Sequence, residues 1–153
     1  MPITYRPLAA RDRDFCVRVH HLAMRRYVEP LWGWDEPQQD RLARTEIADR
    51  HANHEIVLLD AMPIGYLSYQ DLSDVPFLDT LYLHPDHQGH GYGSEVMGRL
   101  IAQAHGHRKP IELSVLMTNA RARAFYARLG FVAVATTAER VRMRYPAPCS
   151  PAS

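Results

Sequence analysis

Apolar residues recur at helical spacing in two segments near the start of the chain. In the first segment Asp12 is a candidate N-cap, and the apolar residues that follow it predict a helix ending near Glu29 and Pro30. In the second segment Pro37 suits the first helical position, and the pattern extends a helix to about Ala52. The segment between them, PLWGWDEP, is rich in turn-forming and aromatic residues, which indicates a connector.

Shorter apolar runs predict strands. One strand, Ile3 to Leu8, precedes the helices, and the runs EIVLLD and PIGYLSYQDL, separated by Ala61 and Met62, predict a hairpin. The run PFLDTLYLHP predicts another strand, followed by a helix, the strand IELSVLM and a further helix. Two short strands follow, Val132–Thr136 and Arg140–Tyr145. This order predicts an α/β (α+β) fold in which about four helices cover one mixed central sheet of about seven strands.

Length and charge exclude several classes of protein. The 153 residues fit one domain, which we assign to residues 1–146, with a flexible tail over residues 147–153. The 18 Lys and Arg residues nearly balance the 17 Asp and Glu residues, so we expect no nucleic acid and no membrane as partner. No apolar run approaches the roughly 18 residues of a membrane span. Cys16 and Cys149 lie in unlike settings, so a disulfide has little support and a cytoplasmic location is expected.

The nine histidines show no recognisable metal-ligand spacing. Neither cysteines at ligand spacing nor an H-E-x-x-H helix supports them. Solvent-facing histidines scattered over the surface explain the pattern better, and the sequence therefore predicts no metal.

The stretch QGHGYGS, residues 88–94, places three glycines at alternate positions between a predicted strand and a predicted helix. The first N–H groups of a helix have no acceptor within the helix, and the positive end of the helix dipole lies there. Glycine lets the oxygens of an anion reach those amides. The P-loop would need a lysine that is missing here, and the dinucleotide fingerprint has a different glycine spacing. A tight turn is the alternative for one glycine, whereas three favour anion binding.

The segment Gln88 to Gly93 also matches R/Q-x-x-G-x-G/A, the signature of the GNAT acyl-CoA N-acyltransferase superfamily. TNARARAFYARLGF, residues 118–131, resembles the second hallmark of that family, N-x-x-A-x-x-F-Y-x-x-x-G-F. The motifs occur in the family's order, separated by one helix and one strand. The chain therefore resembles a GNAT protein from about Glu55 to Phe131, and only weakly so over its first fifty or so residues.

This resemblance implies the GNAT fold, with a twisted and mostly antiparallel sheet, and acetyl-CoA as cosubstrate. The amides of the glycine turn would hold the pyrophosphate, and a splayed part of the fourth strand would bind the pantetheine arm through its backbone, although ordinary sheet pairing is the alternative there. Gln88 stands where arginine is commoner and brings no charge, while His90 and Arg123 either assist the phosphates or are solvated surface. The coenzyme-binding residues expected on this basis are Leu81, Tyr82, Leu83, Gln88, Gly89, His90, Gly91, Tyr92, Gly93, Ser94 and Asn119.

Tyr126 is the candidate general acid. It lies seven residues after Asn119, so on a helix both would share one face, with the small Ala122 between them. A tyrosine is protonated at neutral pH and can donate to a departing thiolate, and the match to the family motif favours this role over packing. Asn119 is expected to contact the coenzyme amides, or to cap the helix, and the two roles are compatible.

The general base is less well specified by the sequence. Asp79 shares strand parity with Leu81, and related enzymes often carry an acid here, so Asp79 is the candidate base. A partner for an arginine is an equal alternative, because an acid inside an apolar strand is costly unless it is paired or wet. Some family members use a glutamate where this chain has Ser114, a weak base. Proton removal through water and His84 are further options.

The connector between the first two helices carries the clues to the acceptor, because these helices flank the acceptor cleft in the resembled fold. Its tryptophans and acids predict an aromatic and acidic mouth for a cationic amine, formed by Glu29, Trp34 and Asp35. Tryptophans that fill a core under a loop are the alternative. The acceptor is expected to be a small-molecule amine or a peptide amine.

Together these features predict an N-acetyltransferase in which the amine attacks acetyl-CoA directly. Neither cysteine lies near the motifs, which disfavours an acyl-cysteine intermediate. A non-catalytic acyl-CoA-binding or sensor module is the alternative function, and it would have no need of a proton donor at Tyr126. The resemblance also leaves a homodimer open, for which the two C-terminal strands offer a surface.

Overall fold

The computed structural model describes residues 3–70 and 76–148, and a seven-stranded sheet in the order β1-β2-β3-β4-β5-β7-β6 lies at its centre. The strands are β1 (Ile3–Pro7), β2 (Asn53–Leu59), β3 (Met62–Tyr69), β4 (Phe77–Leu83), β5 (Ile111–Leu116), β6 (Val132–Thr136) and β7 (Arg140–Tyr145). The α-helices are α1 (Arg13–Trp32), α2 (Glu36–Ala48), α3 (Tyr92–Gly106) and α4 (Ala120–Leu129). The predicted α/β fold with a mixed sheet is confirmed. The predicted end of the third strand at residues 71–72, and most of the predicted tail including Cys149, lie outside the described residues.

The helices cover both faces of the sheet. On one face, α1 and α2 contribute Cys16, Val19 and Ile47 to an apolar cluster with Ile56 and Tyr66. A larger cluster on the other face joins apolar residues of α3 and α4 to the inner strands. None of the described helices combines the length and the apolar character that a membrane span requires.

All neighbouring strands pair antiparallel except β4 and β5, which are parallel. The β4–β5 register covers only Phe77 with Glu112 and Leu78 with Leu113 among the described residues. Beyond Leu78 the two strands diverge and open a gap in the middle of the sheet.

A β-bulge interrupts β4 at Asp79. Ser68 faces Thr80 and Tyr69 faces Leu78, so Asp79 has no counterpart on β3. The predicted parity of Asp79 with Leu81 is therefore wrong, because the extra residue reverses the alternation of side chains. Leu78 and Leu81 instead pack against the same cluster.

The helix boundaries differ from the predicted ones at three places. Helix α1 continues through Pro30 to Trp32, because a proline in the last turn removes only one hydrogen bond, and it stops at Gly33 with φ 71°. Asp12 precedes α1 without capping it, since its carboxylate accepts from Arg6 and the Ala9 N–H instead. Helix α2 ends at Ala48, before the predicted Ala52.

The β2–β3 turn lies one residue earlier than predicted. Asp60 and Ala61 occupy it with φ of 51° and 66°, the positive angles that a two-residue hairpin turn demands. Met62, predicted to lie in the turn, therefore begins β3.

Candidate active site

A cleft of about 920 Å³ opens where β4 leaves β5. Its walls come from α1, α2, the glycine turn before α3, α4 and the start of β7, as well as from the two diverging strands. A cleft of this size suits a small ligand or cofactor.

The glycine turn forms one end of the cleft and offers unpaired amides. Gly89 and Gly91 have φ of 80° and 86°, and Gly91 is the N-cap of α3 without a side-chain cap. Within the described chain, the N–H groups of residues 89–94 donate to no protein acceptor. A Cβ on Gly91 would meet nothing within 4 Å, so the space above it is open. The turn therefore has the unpaired donors and the open space that a diphosphate would need.

Gln88 carries no charge, but Arg121 of α4 places a positive charge beside the glycine turn. Gln88 Nε2 donates to the Leu83 carbonyl at 3.0 Å, and its Oε1 accepts from Arg121 Nη1 at 3.1 Å. This places the Arg121 guanidinium of α4 beside the glycine turn, with Nη2 3.8 Å from a Cβ built on Gly89. Sequence analysis missed Arg121. Its place in the first turn of the motif helix was the available signal, but the contact depends on where α4 packs.

Arg123 and His90, the other two side chains expected to assist the phosphates, do not contact the glycine turn in this way. Arg123 donates to the Met117 carbonyl at 3.2 Å, so it supports the start of α4. His90 is exposed, with its ring 5.9 Å from that of Tyr92. Neither His90 nor Tyr92 is among the described residues whose side chains line the cleft, so any part they play falls to their amides.

Residues Leu81 to Leu83 line the cleft at the divergence of the sheet. On one side they pair with β3, where Leu81 faces Leu67 and Leu83 faces Gly65. On the other side they have no register with β5 in the described chain. One edge of this segment therefore has backbone groups free for a ligand.

Tyr126 and Asn119 both line the cleft from α4. Tyr126 is buried between the rings of Phe125 and Phe131, and this burial raises the pKa of its phenol well above the usual range. The hydroxyl is therefore protonated at neutral pH. Asn119 caps α4, accepting from the Ala122 N–H at 3.0 Å, and has non-helical angles. Asn119 therefore lies before the helix and does not share a helix face with Tyr126 as predicted, although both residues line the cleft.

Asp79 lines the cleft with an exposed side chain, and Gln70 Nε2 donates to it at 2.5 Å. Desolvation and the nearby Asp49 raise the pKa of Asp79, while Gln70 and His54 oppose the shift. None of the ion pairs among the described residues joins Asp79 to an arginine, the alternative partner expected from the sequence.

A second carboxylate, Glu46 of α2, was missed by sequence analysis. It lines the same cleft with Gln39 and Leu42, and the three recur at helical spacing, a signal that could have identified this face. The Glu46 side chain is exposed at the surface of the cleft, but the surrounding walls remove part of the water near its carboxylate. That desolvation, with the charge of Asp79, raises its pKa, whereas Arg140 lowers it.

The three residues expected at the acceptor mouth have other partners. Arg25 pairs with Glu29 at 2.9 Å, and Asp35 caps α2 by accepting from the Gln38 N–H. Trp34 stacks on a buried histidine of α1 and donates to Glu36. Among the described residues that line the cleft, none of these three is present, and the tryptophan found there is the exposed Trp32.

His84 and Ser114, the other groups considered for the base, differ in position. His84 accepts from the Asp86 N–H at the end of β4 and is not among the described lining residues, whereas Ser114 lines the cleft from β5.

His21, Glu36 and Asp40 bring three potential ligand atoms within 4.8 Å of one another, although the sequence showed no ligand spacing. His21 Nε2 lies 2.5 Å from Asp40 Oδ1. Ligand atoms on one zinc ion lie about 3 Å or more apart, because each is about 2.0–2.1 Å from the ion. In this structure His21 and Asp40 are hydrogen-bonded to each other.

Comparisons with known proteins place the chain in a family. The model of the acetyltransferase (GNAT) family matches residues 17–131. No curated protein sequence matches the chain. Among solved structures, an acetyltransferase from Thermus thermophilus is 23% identical, with a TM-score of 0.75 over 95% of this chain and 97% of that one.

Two further structures are similar in fold. The PaiA N-acetyltransferase of Thermoplasma acidophilum, in complex with coenzyme A, is 16% identical, with a TM-score of 0.77 over 95% of this chain and 99% of that one. The ribosomal-protein-S18-alanine N-acetyltransferase of Escherichia coli is 18% identical, with a TM-score of 0.71 over 97% of this chain and 96% of that one. These likenesses establish the fold, while the family match spans most of the sequence. The chain belongs to the GNAT family of acetyltransferases.

Proposed function

We propose that this protein transfers an acetyl group from acetyl-CoA to a primary amine by direct attack of the amine. The observation that carries the proposal is the free edge of β4 beside the unpaired amides of the glycine turn, with Tyr126 in the same cleft. Acetyl-CoA, when bound, supplies an acetyl group activated as a thioester.

The residues proposed to hold the coenzyme lie along one wall of the cleft. The amides of residues 89–94 bind the diphosphate, with Arg121 adding positive charge. The backbone of Leu81 to Leu83 binds the pantetheine arm, and a donor on this free edge polarises the thioester carbonyl. Asn119 contributes its side-chain amide at the start of α4. A protein of similar fold was crystallised in complex with coenzyme A, which supports coenzyme A as the ligand.

The amine is proposed to enter between α2 and β4, where Glu46 and Asp79 attract a cation. An alkyl ammonium needs about 4 to 5 kcal/mol to become neutral at pH 7, so groups that gather and orient it favour the reaction. Asp79, whose pKa is raised by desolvation, is one candidate to accept a proton from the amine. Of the two tryptophans expected at the mouth, the exposed Trp32 lines the cleft and is proposed as the aromatic contact.

Tyr126 is proposed to donate its phenolic proton to the leaving sulfur. The carbon–nitrogen bond forms, the carbon–sulfur bond breaks, and the amine loses one proton while the sulfur gains one. The products are the amide and the free thiol, and solvent restores the proton on Tyr126.

The test measures thiol release from acetyl-CoA with a panel of polyamines, amino acid amides and peptides with free N-termini. Tyr126→Phe should lower turnover by roughly 10² or more and leave the coenzyme Kd, measured by calorimetry, within a few-fold. Tyr145→Phe is the matched control, because this tyrosine is not among the described lining residues. An unchanged rate in Tyr126→Phe would refute the acid assignment. Coenzyme binding without thiol release from any amine would favour the non-catalytic binding module.

A further inference from the structure

A line of hydrogen bonds runs from the surface of α2 into the cleft through two adjacent histidines of α1. Asp40 Oδ1 lies 2.5 Å from His21 Nε2, and His21 Nδ1 lies 2.8 Å from His20 Nδ1. His20 is only 6% exposed, yet it lines the cleft beside Tyr82, their ring centroids being 5.7 Å apart. The Nε2 atom of His20 has no hydrogen-bond partner among the described residues and is not one of their fully buried unpaired atoms. Because Nδ1 is occupied by His21 and the residue lines the cleft, Nε2 is the ring nitrogen left for a ligand there.

Hydrogen bonding fixes the tautomers along this line. A carboxylate only accepts, so the Nε2 of His21 carries a hydrogen that it donates to Asp40. When His21 is neutral, its Nδ1 has a lone pair and accepts from the Nδ1–H of His20. His20 then presents an unprotonated Nε2 to the cleft, which is the state a general base needs.

The same line can take up a proton without charging the buried ring. Burial and the neighbouring His21 lower the pKa of His20 to about 4, so a positive charge on His20 is unfavourable. If His20 Nε2 gains a proton while its Nδ1–H moves to His21 Nδ1, His20 is again neutral. The positive charge then lies on His21, whose Nε2 is near Asp40 and is 3.6 Å from a Glu36 carboxylate oxygen.

We propose that His20 Nε2 accepts the proton that the amine nitrogen loses as the carbon–nitrogen bond forms, with His21 and Asp40 as positioning residues that receive the charge. The inference rests on the proposed function and gives Asp79 the role of attracting the amine. The proton leaves the amine nitrogen for His20 Nε2, and the His20 Nδ1 proton passes to His21 Nδ1. After the product leaves, that proton returns to His20 Nδ1 and the Nε2 proton passes to solvent, which restores the starting tautomers.

Charged and aromatic side chains from several elements surround the two histidines. Tyr82 of β4 faces His20, whereas Glu36 and Asp40 of α2 face His21. Trp34 packs on both histidines and carries Arg25 on its ring at 5.6 Å. Arg26, Arg121 and Glu29 line a second cleft together with His21.

Kinetics test the relay in the intact protein. His20→Gln should lower kcat by about 10² or more without changing the coenzyme Kd, as expected for loss of a general base. Asp40→Asn keeps an oxygen that accepts from His21 but removes the charge, so His21 should hold its proton less tightly. The acid limb of the pH profile of kcat/KM should therefore move to lower pH. Asp14→Asn, an exposed acid on α1 paired with Arg44, is the control and should leave the profile unchanged.

Nitrogen NMR of the histidine rings tests the relay without substrate. Near pH 8 the free protein should show His20 protonated at Nδ1 and His21 at Nε2. A His20 ring protonated at Nε2 beside a neutral His21 would overturn the relay, as would full activity in His20→Gln. Either result leaves the acetyltransferase proposal standing. Absence of thiol release from the wild type with every amine would overturn that proposal and the relay with it.

Discussion

At the glycine turn, one uncharged side chain holds a charged one in place. Gln88 bonds to the end of β4 through its Nε2 and to Arg121 through its Oε1, so the guanidinium of α4 sits beside amides that begin α3. A guanidinium can reach an anionic oxygen from this position, and its planar donors suit a phosphate. The positive charge beside the glycine turn thus comes from a residue some thirty positions further along the chain.

Replacing this arginine should weaken coenzyme binding. We expect Arg121→Gln to raise the coenzyme Kd about tenfold, the loss of one charge-assisted hydrogen bond. Binding to the wild type should also fall more steeply with salt than binding to the variant, because exposed charges are screened. Calorimetry at two salt concentrations measures both effects. Arg41→Gln on the exposed side of α2 is the control, and equal Kd values in both variants would contradict the role of Arg121.

Some residues of the candidate site could be identified from the sequence, and others only from the structure. The family motif located Tyr126 and Asn119, because their spacing carries the resemblance. It gave no reason to single out Arg121, Glu46 or His20, since each reaches the cleft only through the packing of its helix against the sheet. Charge and exposure of a single residue do not encode that packing.

Among the elements, β3 and β4 approach each other closely at one glycine. A Cβ on Gly65 would lie 2.3 Å from the Tyr82 carbonyl oxygen and 2.8 Å from Leu83 Cδ2. Gly65 therefore permits the strand pairing that sets the position of the cleft wall.

A methyl group at Gly65 should push these strands apart. We expect Gly65→Ala to lower the free energy of unfolding by about 1–3 kcal/mol, the usual effect of overpacking, and to reduce activity by displacing Tyr82 and Leu83. Gly98→Ala, in α3 with open space around its Cβ, should instead stabilise the fold by about 0.5–1 kcal/mol. Urea denaturation compares the two variants, and equal effects would refute the steric argument.

Most elements could be predicted from the sequence, because apolar periodicity and glycine and proline positions specify them locally. The bulge at Asp79 could not, since alternation continues on either side of it and only the register against β3 reveals the extra residue. The end of α1 was also misplaced, because Pro30 is tolerated in a last turn.

Across the whole molecule, the join between β1 and α1 depends on one ion pair. Asp12 is buried and accepts two hydrogen bonds from Arg6 and one from the Ala9 N–H. The Arg6 guanidinium lowers the pKa of Asp12 below its ordinary value of 3.8. The pair therefore stabilises the fold fully above about pH 4 and loses its effect as the pH falls through the lowered pKa.

Removing this charge should reduce stability at neutral pH. We expect Asp12→Asn to lower the free energy of unfolding by about 2 kcal/mol at pH 7, with the difference from wild type shrinking below pH 4 as the wild type loses the same charge. Urea denaturation at pH 7 and pH 3 measures this. The exposed Asp14→Asn should change stability by less than about 1 kcal/mol. A difference that stays constant with pH would contradict the pairing.

The brief parallel register between β4 and β5 makes the sheet two half-sheets with few main-chain bonds between them. A cosubstrate lying along the free edge of β4 would then act as a brace that bridges the halves. Because the ligand would then bind only the folded state, the free energy of unfolding of this acetyltransferase would increase with the concentration of free coenzyme.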